Sequence, residues 1–332
     1  MTLLAVATEL SVDLSSSAHA LTAQDLRKNN STSYMDSAYS RKSIYLDRGG
    51  DQQSGIAKFR QPKPMSGQLW FHSYHNFADL GWFGVELCST DSKPFIAIYM
   101  GGWKYTFYSF NDAGSSVSVA FDMTAAGEQT TDVDFCFDFD NNEIQIWRNS
   151  ILLWTGACDL NRRGAGSEIS QLEWNIATNS MTTRFSQVIL ADEPTLGWKL
   201  KTLIADTAGT YQEWTGSPSD INELSFDETT GVEAAVTPAI STFNYTDVQP
   251  EIQTDMEVVS VVVETVGGSD GVTSVTPVIR SGTGTDYDLS TEDLSLYSHI
   301  KPIVDYVDVN PETGLAWTFT DINQAEFGFK AS

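Results

Sequence analysis

Residues 133 to 156 read VDFCFDFDNNEIQIWRNSILLWTG, and their pattern decides the fold class. Val133, Phe135, Phe137 and Phe139 alternate with Asp134, Cys136, Asp138 and Asp140. A period of two is that of a strand with one apolar and one polar face. Asp140, Asn141 and Asn142 then supply turn chemistry, because short Asx side chains tolerate positive φ and bond their own backbone. Alternation resumes from Glu143 to Trp147, with Ile144 and Ile146 opposite Gln145 and Trp147. Arg148, Asn149 and Ser150 turn the chain again, and Ile151 to Trp154 is an almost wholly apolar run of the kind that suits a sheet covered on both sides. The expectation is a three-stranded β-meander, with Asp134 and Asp138 on its solvent face.

Outward from the meander the same grammar repeats. From Arg41 onward SIYLDRG, IAKFRQ, GQLWFHSY, WFGVELCS, PFIAIYMG, KYTFYSF and SVSVAFDM are short alternating runs, separated by Gly, Asn, Asp, Pro or Ser clusters. EISQLEWNI and RFSQVILAD follow the meander, so about ten strands and hardly any helix are expected before residue 200, as in a sandwich or barrel. Residues 1 to 40 are polar and weakly periodic, and read as an arm or connector holding at most one short helix, Leu21 to Lys28, capped by Thr22. The link DEPTLG, Asp192 to Gly197, breaks the rhythm with Pro194 and Gly197. Beyond it Asp206 to Gly231 reads as a loop-rich acidic passage, and Val258 to Glu264, Thr273 to Arg280, Ile300 to Val309 and Ala316 to Thr320 read as strands. The chain is therefore expected to be all-β, with an arm at 1–40, a first β domain at 41–200 and a smaller acidic β-sandwich at 201–332.

Charge supports that division. The 332 residues carry 19 Lys and Arg against 44 Asp and Glu, a net −25. The last 132 residues hold only 4 of the basic side chains but 22 of the acidic ones. Like charges repel, so nucleic acid and anionic membranes are excluded as direct partners. Cys88, Cys136 and Cys158 have no metal-ligand spacing and read as reduced thiols of a protein that matures in a cytosol. MTLLAVATEL lacks a basic flank and is interrupted by Glu9, so it does not read as a signal peptide. No apolar run approaches the roughly 20 residues of a spanning helix.

Four stretches carry a family resemblance. Asp138 and Asp140, a tight turn, then Ile144, Ile146, Trp147 and Asn149 resemble a strand–turn–strand of concanavalin A-like, laminin-G-like jelly rolls. RFSQVILADEPTLGWKL, Arg184 to Leu200, resembles the closing strand and exit link of structural proteins of tailed bacteriophages. AWTFTDINQAEFGFK, Ala316 to Lys330, resembles the way those chains end, and Asp206 to Leu224, with Trp214, Thr215, Gly216 and Glu223, is similar in kind. The resemblance implies an N-terminal jelly roll in a non-enzymatic virion component, tail-associated or a capsid decoration protein, assembled in the host cytoplasm. It implies other phage structural proteins as partners, several copies on a symmetric scaffold, and a displayed domain for host-surface recognition. An active carbohydrate-binding module for host glycans is the alternative, and a glycan-cleaving enzyme the lesser one.

The candidate chemistry is weighed against ordinary architecture. Trp82, Trp103, Tyr105 and Tyr108 lie near glycine turns and would stack on sugar faces if exposed, or fill the core if not. Asp138, Asp140 and Asn142 are the oxygen donors on which a Ca²⁺ ion would draw, but no twelve-residue calcium loop surrounds them, and turn-making explains the same residues. No other cofactor is implied. Asp134, Asp138, Asp140 and Glu143 lack the Glu-x-Asp-x-x-Glu strand of jelly-roll glycosidases. His72 and His75 are three apart, which on a strand puts them on opposite faces and argues against a shared metal. No phosphate loop, Gly-x-Ser-x-Gly elbow, His-Glu-x-x-His helix or dinucleotide fingerprint is present.

Overall fold

The computed structural model describes residues 3–7, 13–16, 44–47, 55–64, 66–76, 83–89, 93–101, 104–122, 130–163, 168–176, 182–222, 230–249, 252, 256–268, 274–294 and 301–332. The chain is all-β and divides into two compact units, Met1–Leu200 and Lys201–Ser332.

The first unit contains β1 (Leu3–Ala7), β2 (Asp13–Ser16), β3 (Ile44–Asp47), β4 (Gly55–Pro64), β5 (Gln68–Asn76), β6 (Phe83–Cys88) and β7 (Pro94–Gly101). It continues with β8 (Lys104–Phe110), β9 (Ser116–Asp122), β10 (Thr130–Asp138), β11 (Glu143–Arg148), β12 (Ile151–Ala157), β13 (Glu168–Ile176) and β14 (Thr182–Ala191). One seven-stranded sheet runs β1-β14-β5-β10-β11-β12, with β3 also on β14; the other runs β2-β4-β13-β6-β7-β8-β9. Two stretches of the expected N-terminal arm are thus strands, β1 on β14 and β2 on β4, whereas Leu21 to Lys28 lies outside the described residues.

Alternation turns these strands into a core. Phe135 and Phe137 of β10 face inward, and Phe135 meets Phe71 of β5 at 5.9 Å within its own sheet. Across the layers Phe135 meets Tyr105 and Phe107 of β8 edge-on at 5.5 and 5.9 Å. Edge-to-face contact sets the positive rim of one ring against the negative face of the next, so it adds to the area buried. The meander turns as its residues suggest. Asn142 adopts φ 53°, while Asn149 and Ser150, at φ 46° and 61°, form the two-residue turn that matches the twist of β11 and β12.

The run Ile151 to Trp154 departs from expectation. It lies in β12, the outermost strand of its sheet, and Ile151, Leu152 and Leu153 are 66%, 43% and 41% exposed. An apolar run looks the same whether its neighbours come to cover it or not.

The second unit has β15 (Ala205–Gln212), β16 (Ala239–Tyr245), β17 (Val261–Gly267), β18 (Ser274–Arg280), β19 (Asp286–Asp288), β20 (Glu292–Asp293), β21 (Lys301–Val307), α1 (Phe319–Gln324) and β22 (Glu326–Ala331). Its main sheet is ordered β15-β16-β22-β18-β19, with β20 also on β18, and β17 pairs β21 separately. Val275, Leu294 and Ile303 form a core against Trp214 and Phe329, joining β18 to β21. Two sequence expectations change here. The acidic passage after Asp206 begins inside β15, and Ala316 to Thr320 is not a strand. Thr318 instead caps α1, its hydroxyl accepting from the Asp321 amide while the Asp321 carboxylate accepts from the Thr318 amide and hydroxyl.

Candidate functional site

Strand β8 sorts its aromatic residues by parity. Tyr105 and Phe107 point into the sandwich; Tyr108 and Phe110 point out of it, half-buried. Tyr105 is 1% exposed and packed on Phe135, so it belongs to the core and not to a stacking surface. Register places Ala97 of β7 beside Tyr108, and Glu86 of β6 beside Ala97, on the same outer face. Tyr99 of β7 completes the group, with its ring 5.4 Å from Tyr108 at 75°, and Tyr108 in turn stacks on Phe110 at 6.1 Å and 25°. Tyr99 Oη donates to Glu86 Oε1, and Cys88 Sγ lies 4.0 Å from Glu86 Oε2. Burial, followed by the neighbouring Glu86 charge and its hydrogen bond, pushes the Tyr99 phenol well above its usual range, so it stays a donor. The outcome is a face with three partly buried rings and a buried carboxylate, Glu86, behind them. Trp82 and Trp103 lie outside the described residues.

The outer face of the other sheet sets Asp132, Asp134 and His72 beside Trp70 and Trp147, whose rings lie 6.3 Å apart, and the exit link crosses its polar part. Asp134 of β10 is buried, contrary to a solvent-facing placement. His72 of β5, its cross-strand partner, is equally buried, and its Nδ1 donates to Asp134 Oδ1 at 2.8 Å. Thr195 Oγ1, from the link, donates to the same oxygen at 2.6 Å. Two residues earlier on β10, Asp132 Oδ2 accepts from Lys199 Nζ at 2.5 Å. Two strand carboxylates therefore hold the chain in the link, at Thr195, and just beyond it, at Lys199. Asp134 reads as surface in the sequence because the residues that cover it stand about sixty positions later.

The Asp-rich turn spends its oxygens internally. Asp138 accepts from the Asn141 amide and side chain at 2.9 and 3.0 Å and from Gln68 Nε2 at 2.9 Å. Burial raises the Asp138 pKa, but these donors outweigh it and hold the carboxyl below its usual range. Asp140 Oδ1 accepts from the Gly67 amide, and Asn142 Oδ1 from the Leu160 amide and Asn161 Nδ2. N–H donors thus occupy both Asp138 oxygens, Asp140 Oδ1 and Asn142 Oδ1. Among the described residues no group of three or more His, Cys, Asp and Glu is arranged to hold a metal ion. No described helix is long and apolar enough to cross a membrane.

The sequence reading missed Tyr99, Phe110 and Glu86. Period-two parity from Tyr108 points to Phe110, whereas Tyr99 and Glu86 need the cross-strand register.

No protein-family model and no curated protein matches the chain. Among solved structures, the binding domain of botulinum neurotoxin serotype D/C VPI 5993 aligns at 9% identity and TM-score 0.39, covering 97% of this chain and 94% of that one. The binding domain of Paraclostridial Mosquitocidal Protein 1 aligns at 10% identity and TM-score 0.38, covering 55% of this chain and 44% of that one. A sialidase aligns at 9% identity and TM-score 0.33, over 46% of this chain and 15% of its own. The chain thus spans less than half of the sialidase and of the mosquitocidal domain. With TM-scores below 0.5, none of these chains fixes a function for this one.

Proposed function

We propose that this chain is a non-enzymatic, glycan-recognising component of a tailed-bacteriophage particle, its first unit the displayed module. The observation that carries the recognition role is the outer face formed by Tyr99, Tyr108 and Phe110 beside Glu86. Ring faces stack on the C–H surface of a sugar, and Glu86, buried behind the rings, fixes the Tyr99 hydroxyl. The carboxylates of the meander support a non-catalytic reading, since Asp134, Asp138 and Asp140 each accept structural hydrogen bonds. The virion role rests on the sequence resemblance of Arg184 to Leu200 and Ala316 to Lys330.

A glycan array probed with the full chain tests recognition. Retention that Tyr108→Ala reduces at least tenfold supports it, whereas equal retention by wild type and variant overturns it. Locating the chain in a density map of intact particles tests the virion role, and particles without the chain would refute it.

A further inference from the structure

Among the described residues, both sheets of the first unit end in an unpaired strand on the same side. β12 ends one sheet and β9 ends the other. Trp154 of β12 reaches across the layers to Phe121 of β9 at 5.8 Å and to Phe107 at 6.1 Å, so the two edges lie one above the other. Edge strands normally carry a guard against pairing, such as a lysine, a proline or an inward charge. β12 reads ILLWTGA and β9 reads SVSVAFD, with no basic residue, no proline and a single charge at the far end of β9. Ile151, Leu152 and Leu153 on one edge and Val117 on the other are exposed. On a chain of net charge −25 this is a largely uncharged stripe, apolar along β12 and mixed along β9, bounded by two rows of backbone groups.

We propose that this double edge joins two copies of the chain about a twofold axis normal to the sheets. A lone extended peptide can complete only one of the edges. A second sandwich with two open edges at the same layer spacing, about 10 Å, completes both at once. One such axis sets β12 antiparallel to its counterpart and β9 antiparallel to its own, so each residue contact occurs twice. Charge favours the same place, because two chains of −25 meet with least repulsion where each presents a single charge in 14 residues. The two strands supply 14 residues per copy, below the roughly 20 to 30 of a standard interface, so the association is expected to be weak and reversible. The inference stands apart from the glycan and virion readings and does not need either.

Sedimentation equilibrium of the full chain, from about 1 to 100 μM, is the test. The expected result is a reversible monomer–dimer equilibrium whose dissociation constant rises at least tenfold in Leu152→Lys/Leu153→Lys and measurably in Val117→Lys. These side chains are exposed, so the variants should keep the wild-type far-UV spectrum and melting temperature. Amide exchange gives a check that needs no variant: β12 and β9 amides should gain protection as concentration rises. A wild-type monomer throughout the range overturns the proposal, as does a dimer that the double variant leaves intact. A dimer insensitive to Val117→Lys and without concentration-dependent protection in β9 overturns the two-edge geometry.

Discussion

The hydroxyl of Thr195 donates to Oδ1 of Asp134 at 2.6 Å, so a residue of the exit link is fastened to a buried carboxylate of the central strand β10. The oxygen that accepts it also accepts from His72. Asp134 Oδ2, by contrast, is buried with no hydrogen-bond partner among the described residues. The carboxylate depends on few donors, and removing one leaves it poorly compensated. Thr195→Val should therefore destabilise the first unit by about 1–3 kcal/mol, the cost of an unsatisfied buried polar group. A double-mutant cycle with Asp134→Asn, followed by urea unfolding, should give a coupling energy of at least about 0.5 kcal/mol. Additive losses would show that the two groups act independently.

Acid should weaken both units through particular carboxylates. Glu326 of β22 is pushed up by burial, but the Thr210 amide and the Thr242 and Thr210 hydroxyls outweigh it, leaving the pKa lowered as for Asp138. A carboxylate with a depressed folded pKa contributes stability above its unfolded value and loses it as pH falls through the folded value. The urea midpoint should thus fall as pH drops below about 4, the ordinary carboxylate range. Asp138→Asn should lower the midpoint at pH 6 and flatten its decline between pH 5 and 3 in the first unit. An unchanged slope would mean that Asp138 contributes nothing to the pH dependence.

Tyr105 and Tyr108, three residues apart, should respond oppositely to truncation. Tyr105→Ala empties a core position against Phe135 and should cost about 3–5 kcal/mol. Tyr108→Ala should leave most of the stability intact while reducing glycan retention. Thermal melts and array binding on the same preparations separate the two effects, and a reversed pattern would mean that the faces of β8 are exchanged.

The three thiols should be silent in the folded protein. Cys88, Cys136 and Cys158 are free and buried. Burial first, then the Asp138 and Glu143 charges, pushes the Cys136 thiol up to about 12, and burial also raises Cys158. Since the thiolate is the reactive form, labelling at pH 8 should be negligible in native buffer and reach three equivalents in denaturant. Rapid native labelling of Cys136 would contradict the packing around β10.

Gly328 offers a test of the second unit. It lies in β22, the central strand, and a Cβ there would come within 1.9 Å of the Ser241 carbonyl oxygen. Backbone cannot yield as a flexible side chain does, so Gly328→Ala should cost several kcal/mol, beyond the usual 1–3 for overpacking. Near-wild-type stability would require β16 to move away.

By itself the sequence determined what is local and periodic. Alternation through Val133, Phe135 and Phe137 marks the inward face of β10, and Asn142, Asn149 and Ser150 mark turns, because strand parity and positive φ are properties of a few neighbouring residues. Parity along β8 likewise separates Tyr105 from Tyr108 once one inward residue is known. The tertiary structure alone decided what depends on distant partners. Asp134 is buried because Thr195 and the exit link fold back over it. Ile151 to Leu153 are exposed because β12 is the last strand of its sheet. Tyr99 and Glu86 join Tyr108 through the register of three strands. Apolar composition states a demand for burial, but only the placement of the whole chain determines which neighbours, if any, meet it.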